Sequence, residues 1–229
     1  MPTSSATDAF AKAPQAYLPQ PAGAHVVDDP RFFLTVSDNG DWASVCRLAG
    51  DAAEIFAAVT EHAPQARIVW VTDGSQEHEL RGLGCREQDA PLTSYITAMA
   101  TETEPPGVEG VEVRRAEPDG ARDVSSRGWG VPMAPRDPLG WIAYLGGKPV
   151  AYGGAVAGPH GLFLTGGVTL PEARGRGAYR ALVRARWDEA VSLGTPALVV
   201  HTEEASRRVL AQIGFREVAA IVELVSGAC

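Results

Sequence analysis

Apolar and polar residues alternate along the second half of the chain in a pattern that predicts strands. Residues 111–116 alternate with a period of two, residues 141–145 and 149–153 flank a Gly146-Gly147 turn, and residues 162–170 form a further apolar run. A period of two is typical of half-buried strands, and two glycines between two such runs predict a hairpin. We therefore expect a mainly antiparallel sheet here.

Residues 178–193 form the clearest predicted helix. Their apolar side chains recur at helical spacing, and Gly194 and Pro196 follow as stop signals. Arg186 falls on the apolar face, so its charge needs a buried partner. The other predicted elements are a strand over residues 197–201, a helix over residues 203–213 that ends at Gly214, and a strand over residues 216–225.

A linker divides the chain into two halves. Residues 101–110, TETEPPGVEG, are polar, contain two prolines and lack periodicity. We therefore expect a first half over residues 26–104 and a second half over residues 108–229. Residues 1–25 are rich in proline, alanine and small polar residues, which predicts a disordered or loosely packed tail.

The two halves share an internal similarity at an offset of 130 positions. Residues 67–90 align without a gap over residues 197–220, so that Leu80 meets Leu210 and Gly84 meets Gly214. Both segments predict a strand, a helix, a glycine and a second strand. The same offset places residues 44–47, SVCR, over residues 174–177, RGRG. The first half therefore has no counterpart of the glycine-rich turn at residues 174–177.

Composition and charge exclude several classes of function. The chain of 229 residues has a formal net charge of -8, which disfavours nucleic acid because phosphate contacts need a basic surface. Three separated cysteines and five scattered histidines argue against a disulfide framework and against a metal site. No apolar run reaches the roughly 20 residues that cross a bilayer, and the N-terminus does not resemble a secretory signal. We expect a cytoplasmic protein without membrane contact.

The segment RGRGAY, residues 174–179, lies between a predicted strand and the predicted helix. Free N–H groups at a helix N-terminus bind anions, and Gly175 and Gly177 would let a pyrophosphate approach the backbone. Arg174 and Arg176 would add charge-assisted hydrogen bonds. No GKS or GKT sequence follows, so this is not a Walker loop. The alternative is a solvated turn rich in arginine and glycine that carries no function.

This segment resembles motif A of the GNAT superfamily, the acyl-CoA-dependent N-acyltransferases, whose signature is Arg/Gln-x-x-Gly-x-Gly/Ala. Arg174 and Gly177 fit, whereas Tyr179 replaces the small last residue. SRRVLAQIGF, residues 206–215, is similar to motif B of the same family. The resemblance covers about residues 108–226. Together with the internal similarity it implies a mixed α/β fold of two GNAT-like units, each with a mixed, mainly antiparallel sheet flanked by helices, and a degenerate first unit.

The resemblance implies that acetyl-CoA is the co-substrate and that no metal takes part. Backbone groups of the strand would hold the pantetheine arm, the glycine turn would hold the pyrophosphate, and a backbone N–H within residues 164–168 would polarise the thioester carbonyl. The implied cofactor-binding residues are Val168, Thr169, Leu170, Arg174, Gly175, Arg176, Gly177, Ala178, Tyr179 and Ser206.

The catalytic side chains depart from the family pattern. Leu210 stands where many members carry the tyrosine that acts as acid, and the strand before the glycine turn lacks the usual Glu or Asp base. His201 is the first substitute, because it ends a strand that should flank the acyl site and its ordinary pKa suits proton transfer. Tyr144 is the second substitute. The alternative for both is a role in packing or helix capping.

The acceptor is expected to be a small-molecule primary amine. In the family, the segment after the first strand forms the acceptor wall, which corresponds here to residues 125–137; its candidate substrate-binding residues are Trp129, Met133, Arg136 and Asp137. An ordinary loop is the alternative. Two rival functions remain at this stage: a non-catalytic sensor or scaffold that binds acyl-CoA, and a structural protein without a cofactor. We expect a monomer rather than a homodimer.

Overall fold

The computed structural model describes residues 5–89, 93–130 and 139–227. The helices are α1 (Ala6–Lys12), α2 (Ala52–His62), α3 (Glu77–Gly82), α4 (Pro118–Trp129), α5 (Ala178–Ser192) and α6 (Glu204–Gln212), with short 3-10 turns at Pro14–Ala16 and Pro171–Ala173. The strands are β1 (His25–Asp29), β2 (Phe32–Val36), β3 (Trp42–Cys46), β4 (Arg67–Thr72), β5 (Arg86–Glu87), β6 (Tyr95–Thr101), β7 (Glu112–Arg115), β8 (Leu139–Leu145), β9 (Lys148–Gly158), β10 (Gly161–Thr169), β11 (Leu198–Thr202) and β12 (Arg216–Ser226). Within the described ranges, no helix has the length and apolar character that a membrane span requires.

The chain folds into two units whose boundary differs from the one expected at the linker. Unit 1 contains Met1–Met99, His201–Arg207 and Glu217–Cys229, and unit 2 contains Ala100–Val200 and Arg208–Arg216. The C-terminal segment belongs to unit 1 because β12 pairs antiparallel with β4, from Val222 opposite Thr72 to Ser226 opposite Ile68. Strand pairing between distant segments therefore overrides the division of the chain at residues 101–110.

Unit 1 is built on a sheet with the strand order β1-β2-β3-β4-β12-β6. Strands β1 to β3 are antiparallel neighbours, whereas β3 and β4 are parallel. The core buries Trp70, whose ring stacks on Phe56 with centroids 5.1 Å apart, and its indole N–H donates to Ser226 Oγ over 2.8 Å. Val222 and Leu224 of β12 lie in the same core, so the last strand is integral to unit 1.

The expected loose tail is instead ordered from residue 5. Ser5 caps α1 by accepting a hydrogen bond from the Asp8 N–H, and Phe10 and Ala11 on this helix are fully buried. Phe10 also packs edge-on against Tyr17, with ring centroids 5.8 Å apart. The expectation of a loose tail rested on average composition, whereas one helix cap and a few apolar residues at helical spacing are enough to give a short segment regular structure.

Unit 2 is built on a sheet with the strand order β11-β10-β9-β8-β7. The pair β10–β11 is parallel, and the pairs β10–β9, β9–β8 and β8–β7 are antiparallel. Helix α4 covers an apolar cluster that includes Ile142, Tyr152 and Val168. Helix α5 also packs against the sheet, and its Glu189 forms an ion pair with Arg115 of β7. The predicted mixed fold, with mainly antiparallel sheets and flanking helices, is confirmed.

The internal similarity corresponds to the same local structure in both segments, residues 67–90 and residues 197–220. After α3, the Cys85 N–H donates to the Leu80 carbonyl over 3.0 Å; after α6, the Phe215 N–H donates to the Leu210 carbonyl over 3.1 Å. The intervening residues Gly84 and Gly214 both adopt left-handed backbone angles, with φ of 95° and 100°. Each half of the chain therefore contains a strand, a helix, a left-handed glycine and a strand in the same order.

Candidate active site

The site begins on β10, where regular pairing on both edges ends. On one edge, β10 pairs with β11 only from Leu162 opposite Leu198 to Leu164 opposite Val200, although β10 continues to Thr169. On the other edge, the register with β9 shifts between Thr165 and Val168. Among the described residues, the part of β10 beyond Leu164 therefore has no register partner on β11, and its backbone groups on that edge are open. An extended ligand with amide groups can pair with such an edge.

The glycine turn follows directly, at the start of α5. Gly175 and Gly177 have left-handed φ angles of 73° and 83°, and Gly177 is the N-cap residue of α5. No side chain caps this helix and its first turn carries no acidic residue. A Cβ on Gly175 would meet nothing within 4 Å, whereas a Cβ on Gly177 would lie 2.7 Å from Val108 Cγ1. Gly175 therefore faces open space, and Gly177 is also required for packing.

Two arginines flank this turn. Arg174 is exposed, and its Nε donates to the Thr169 carbonyl oxygen over 3.5 Å. Arg176 is also exposed. In the described part of the chain neither guanidinium forms an ion pair with a carboxylate. An uncapped helix N-terminus with two available guanidinium groups suits a pyrophosphate.

In unit 1, the helix that corresponds to α5 is α2, and a side chain of this unit caps the free N–H groups at its N-terminus. Asp51 caps α2, and its carboxylate accepts hydrogen bonds from Ala53 N–H at 2.9 Å and Glu54 N–H at 3.0 Å. Glu54 places a second negative charge in the first turn. A carboxylate already occupies the position where an external anion would bind, so α2 offers no equivalent of the α5 turn.

The other expected cofactor residues are Val168, Thr169, Leu170 and Ser206, which differ in how accessible their side chains are. Val168 and Leu170 point their side chains into the core beneath α4 and are almost completely buried, so only their main-chain groups are available to a ligand. Thr169 is half-buried and precedes the turn. Ser206 lies in the first turn of α6, in the segment that belongs to unit 1.

Comparison with known proteins addresses the family. Residues 109–215 match the model of the Acetyltransferase (GNAT) family. Residues 109–215 therefore form a GNAT acetyltransferase domain. The matched segment contains the β10 bulge, the glycine turn and α5, so the family assignment and the geometry concern the same residues. The family consists of acyl-CoA-dependent N-acetyltransferases, and the domain is that of an acyltransferase.

Solved structures of low sequence identity share the fold over nearly the whole chain. A GCN5-related N-acetyltransferase from Kribbella flavida superposes with a TM-score of 0.72 at 16% identity, over 99% of this chain and 98% of that one. A tandem GNAT protein from the clavulanic acid biosynthesis pathway gives 0.57 at 13% identity, over 96% and 87%. A GCN5-related N-acetyltransferase from Sphaerobacter thermophilus gives 0.59 at 14% identity, over 86% and 76%. No curated protein matches the sequence significantly.

His201 is engaged in a structural contact within unit 1. Its Nε2 lies 2.8 Å from the carbonyl oxygen of Ala11 in α1. A carbonyl only accepts, so Nε2 carries the proton and donates it. Burial lowers the pKa of His201, and the bond to Ala11 partly opposes this shift. The structure therefore favours the packing role over the catalytic one.

The lowered pKa of His201 predicts a specific acid sensitivity. The unfolded chain binds the proton more tightly, so unfolding free energy is lost as pH falls from about 6.5 through the lower folded-state pKa. We expect His201→Gln, which can still donate to Ala11, to lose less unfolding free energy than wild type between about pH 7.5 and about pH 5.5 in urea titrations. His78→Gln, at an exposed position, is the control. Equal losses in wild type and His201→Gln would contradict this account.

Tyr144 lies away from the β10 bulge. It is opposite Pro149 and Glu112, and the Arg114 guanidinium carbon lies 4.7 Å from its ring centroid. Thr165 at the bulge is opposite Gly154, which is in turn opposite Gly140. Tyr144 lies four positions beyond Gly140 in β8, a distance of about 13 Å along the strand. The structure does not bring Tyr144 to the expected acyl position.

The expected acceptor loop is partly a helix. Trp129 is the last residue of α4 and its side chain is 37% exposed. A Cβ on the preceding Gly128 would overlap the side chain of Val168, so the last turn of α4 lies directly on β10 beside the bulge. Trp129 is thereby placed near the site. Met133, Arg136 and Asp137 lie outside the described residues.

Two residues near the bulge, Thr165 and Arg186, were not among the predicted site residues. Thr165 buries its hydroxyl oxygen, which has no hydrogen-bond partner among the described residues. Arg186 of α5 is 1% exposed, and its guanidinium reaches β9 at Gly154. The sequence signal that could have located the bulge is the pair Gly166-Gly167 inside a strand, since glycines within strands often mark bulges.

Metal-binding groups of three or more His, Cys, Asp or Glu side chains are absent from the described residues.

Proposed function

We propose that the GNAT domain transfers the acetyl group of acetyl-CoA to a primary amine of a small molecule, by direct attack with both substrates bound. The observation that carries the proposal is the continuous path from the open edge of β10 to the uncapped glycine turn of α5. The path offers extended backbone groups first and an anion site next, which matches an amide-containing arm that ends in a pyrophosphate.

Each part of this path has a defined role in the proposal. Acetyl-CoA supplies the activated thioester. Backbone groups of Val168–Leu170 pair with the arm, and the N–H groups of Gly175 and Gly177–Tyr179, aided by Arg174 and Arg176, hold the pyrophosphate. A backbone N–H at the bulge faces the carbonyl oxygen, where negative charge develops during attack. Unit 1 is proposed to be degenerate, because Asp51 occupies the N-terminus of its helix.

Proton transfer relies on solvent or on small polar groups in this proposal. Leu210 is fully buried, so the position used by the family tyrosine holds no acid. Thr165 places a buried hydroxyl next to the bulge, where it can hydrogen-bond the acceptor amine or a water molecule that takes the proton. The hydroxyl remains neutral and acts by orientation.

The absence of the family acid from the Leu210 position also favours a second candidate, a non-catalytic sensor that binds acyl-CoA. Thiol release distinguishes the two. The purified protein is mixed with acetyl-CoA and a panel of amino acids, polyamines and aminoglycosides, and free CoA thiol is measured with a chromogenic disulfide. An amine-dependent rise supports the enzyme. Acetyl-CoA binding without thiol release from any amine supports the sensor.

Thr165 is expected to affect turnover more than binding. Thr165→Val removes the buried hydroxyl and preserves the shape, so we expect kcat to fall about tenfold, with the Kd for acetyl-CoA within about twofold of wild type. Thr72→Val makes the same exchange at a buried position in unit 1 and is the control. The role assigned to Thr165 is wrong if both variants retain the wild-type kcat.

A further inference from the structure

Arg186 places a guanidinium against two glycines of β9. Its Nε donates to the Leu182 carbonyl over 3.0 Å and one terminal nitrogen donates to the Gly154 carbonyl over 3.2 Å. A Cβ on Gly153 would lie 3.1 Å from the guanidinium carbon. Only residues without side chains let the planar group lie this close to the strand. Arg186, whose charge the sequence left unexplained, therefore forms a specific contact between α5 and β9.

The contacted part of β9 is directly opposite the bulge. Gly154 pairs with Thr165, and this is the last regular pair before the register shift in β10. The bond from Arg186 to the Gly154 carbonyl fixes β9 at this point. Strand β10 pairs with β9 along this edge. The same hydrogen bond therefore also fixes where the bulge in β10 begins.

Tyr179 contacts the bulge itself. A Cβ on Gly167 would lie 3.0 Å from Cε2 of the Tyr179 ring, so the ring rests against the β10 backbone. The Arg186 guanidinium carbon lies 5.9 Å from the centroid of the Tyr179 ring. Burial raises the pKa of Tyr179, and the charge of Arg186 and its hydrogen bonding to the hydroxyl oppose that rise. Tyr179 thus turns toward the sheet, while its N–H remains in the first turn of α5.

We infer that Arg186 and Tyr179 form a brace, defined as the contacts of Arg186 with Gly154 and Tyr179 and of Tyr179 with Gly167, that positions the β10 bulge for acyl transfer. Arg186 is a positioning residue that acts through the backbone of β9 and the ring of Tyr179. This inference rests on the proposed function, since it assigns the bulge N–H to the thioester carbonyl. It also explains why a large aromatic residue is accommodated at the end of the glycine turn.

The brace links the two ends of the proposed path. Tyr179 belongs to the first turn of α5, where the pyrophosphate is proposed to bind, and its ring lies on Gly167, where the carbonyl is proposed to be polarised. Preorganised donors stabilise developing charge only when they are held at the right position, and small displacements are costly. Loosening the brace should therefore weaken polarisation of the carbonyl while leaving pyrophosphate binding by the backbone in place.

The test uses two variants and a matched control. Tyr179→Phe keeps the ring on Gly167 and removes the hydroxyl, and Arg186→Lys keeps the charge and removes the planar group. Tyr95→Phe removes a hydroxyl that also contacts an arginine, Arg81, at an exposed position in unit 1. Acetyl-CoA labelled with 13C at the thioester carbonyl is the probe. Isothermal titration gives its Kd, and infrared spectroscopy gives the carbonyl stretch, which a hydrogen bond shifts to lower frequency.

We expect bound acetyl-CoA to show a lowered carbonyl frequency in wild type and in Tyr95→Phe. In Tyr179→Phe and Arg186→Lys we expect about half of that shift or less, with the Kd within about threefold of wild type. An unchanged shift in Tyr179→Phe, the milder variant, would overturn the brace. Binding to wild type without any shift would overturn the brace but not acetyl-CoA binding. Absence of binding to wild type would overturn the proposed function and the brace together.

Discussion

Replacing Gly175 with aspartate is expected to abolish acetyl-CoA binding, whereas replacing it with asparagine should leave most of the affinity. Gly175 has a left-handed φ of 73°, and a Cβ there meets nothing within 4 Å. Asparagine and aspartate tolerate this backbone conformation better than other residues and have nearly the same shape. The two variants therefore differ mainly in one negative charge at the proposed pyrophosphate site.

The expected size of this effect follows from the charges. A carboxylate about 5 Å from a pyrophosphate costs about 3 kcal/mol per phosphate charge at an effective dielectric constant near 20, which weakens binding by about 100-fold or more. Isothermal titration of both variants with acetyl-CoA measures it. The Asn variant controls for the backbone conformation and the added side chain. Equal affinities for the two variants would remove the turn from the binding site.

Deleting the first half should prevent the second from folding. A fragment of residues 108–229 retains β12 but loses β4, with which β12 pairs over five residues. Val222 and Leu224, which are buried in the core of unit 1, would then face water. An unpaired strand with exposed apolar side chains is a site of aggregation. We expect the fragment to be insoluble or to lack a cooperative thermal transition by circular dichroism.

A cleaved full-length protein is the matched control for this fragment. A protease site is inserted after Gly107, in an exposed part of the linker. A Cβ on Gly107 would meet nothing within 4 Å, so there is open space at this point. Cleavage there leaves every strand present, so the thermal midpoint should stay within about 5 °C of the uncut protein. A soluble 108–229 fragment that unfolds cooperatively would show that the second half of the chain folds without β4.

Local signals in the sequence predicted the elements that local interactions determine. The turns at Gly84 and Gly214 were visible because each needs one left-handed glycine after an amphipathic helix. The α5 helix was visible from its apolar residues at helical spacing, and the turn before it was visible from the two glycines of residues 174–177. Helix α4 was not predicted, although Pro118 at its start and the left-handed Gly130 at its end are sequence signals that could have found it.

Contacts between distant segments were not predictable from the pattern. The assignment of β12 to unit 1 depends on pairing with β4, and the role of His201 depends on a carbonyl 190 positions earlier. Arg186 was noticed as a charge on an apolar face, but its partner Gly154 on β9 depends on how the helix packs on the sheet. Unusual residues, here a buried arginine and consecutive strand glycines, indicated where such contacts would lie without indicating what they were.

Titration of the wild-type protein with acetyl-CoA tests the central claim most directly. Helix α5 has an uncapped N-terminus next to a glycine turn, whereas Asp51 caps the corresponding helix α2 of unit 1. We therefore predict saturable binding with a stoichiometry of about one acetyl-CoA per chain. No measurable binding would contradict the assignment of the α5 turn as an acyl-CoA site. Two equivalent sites per chain would contradict the proposed degeneracy of unit 1.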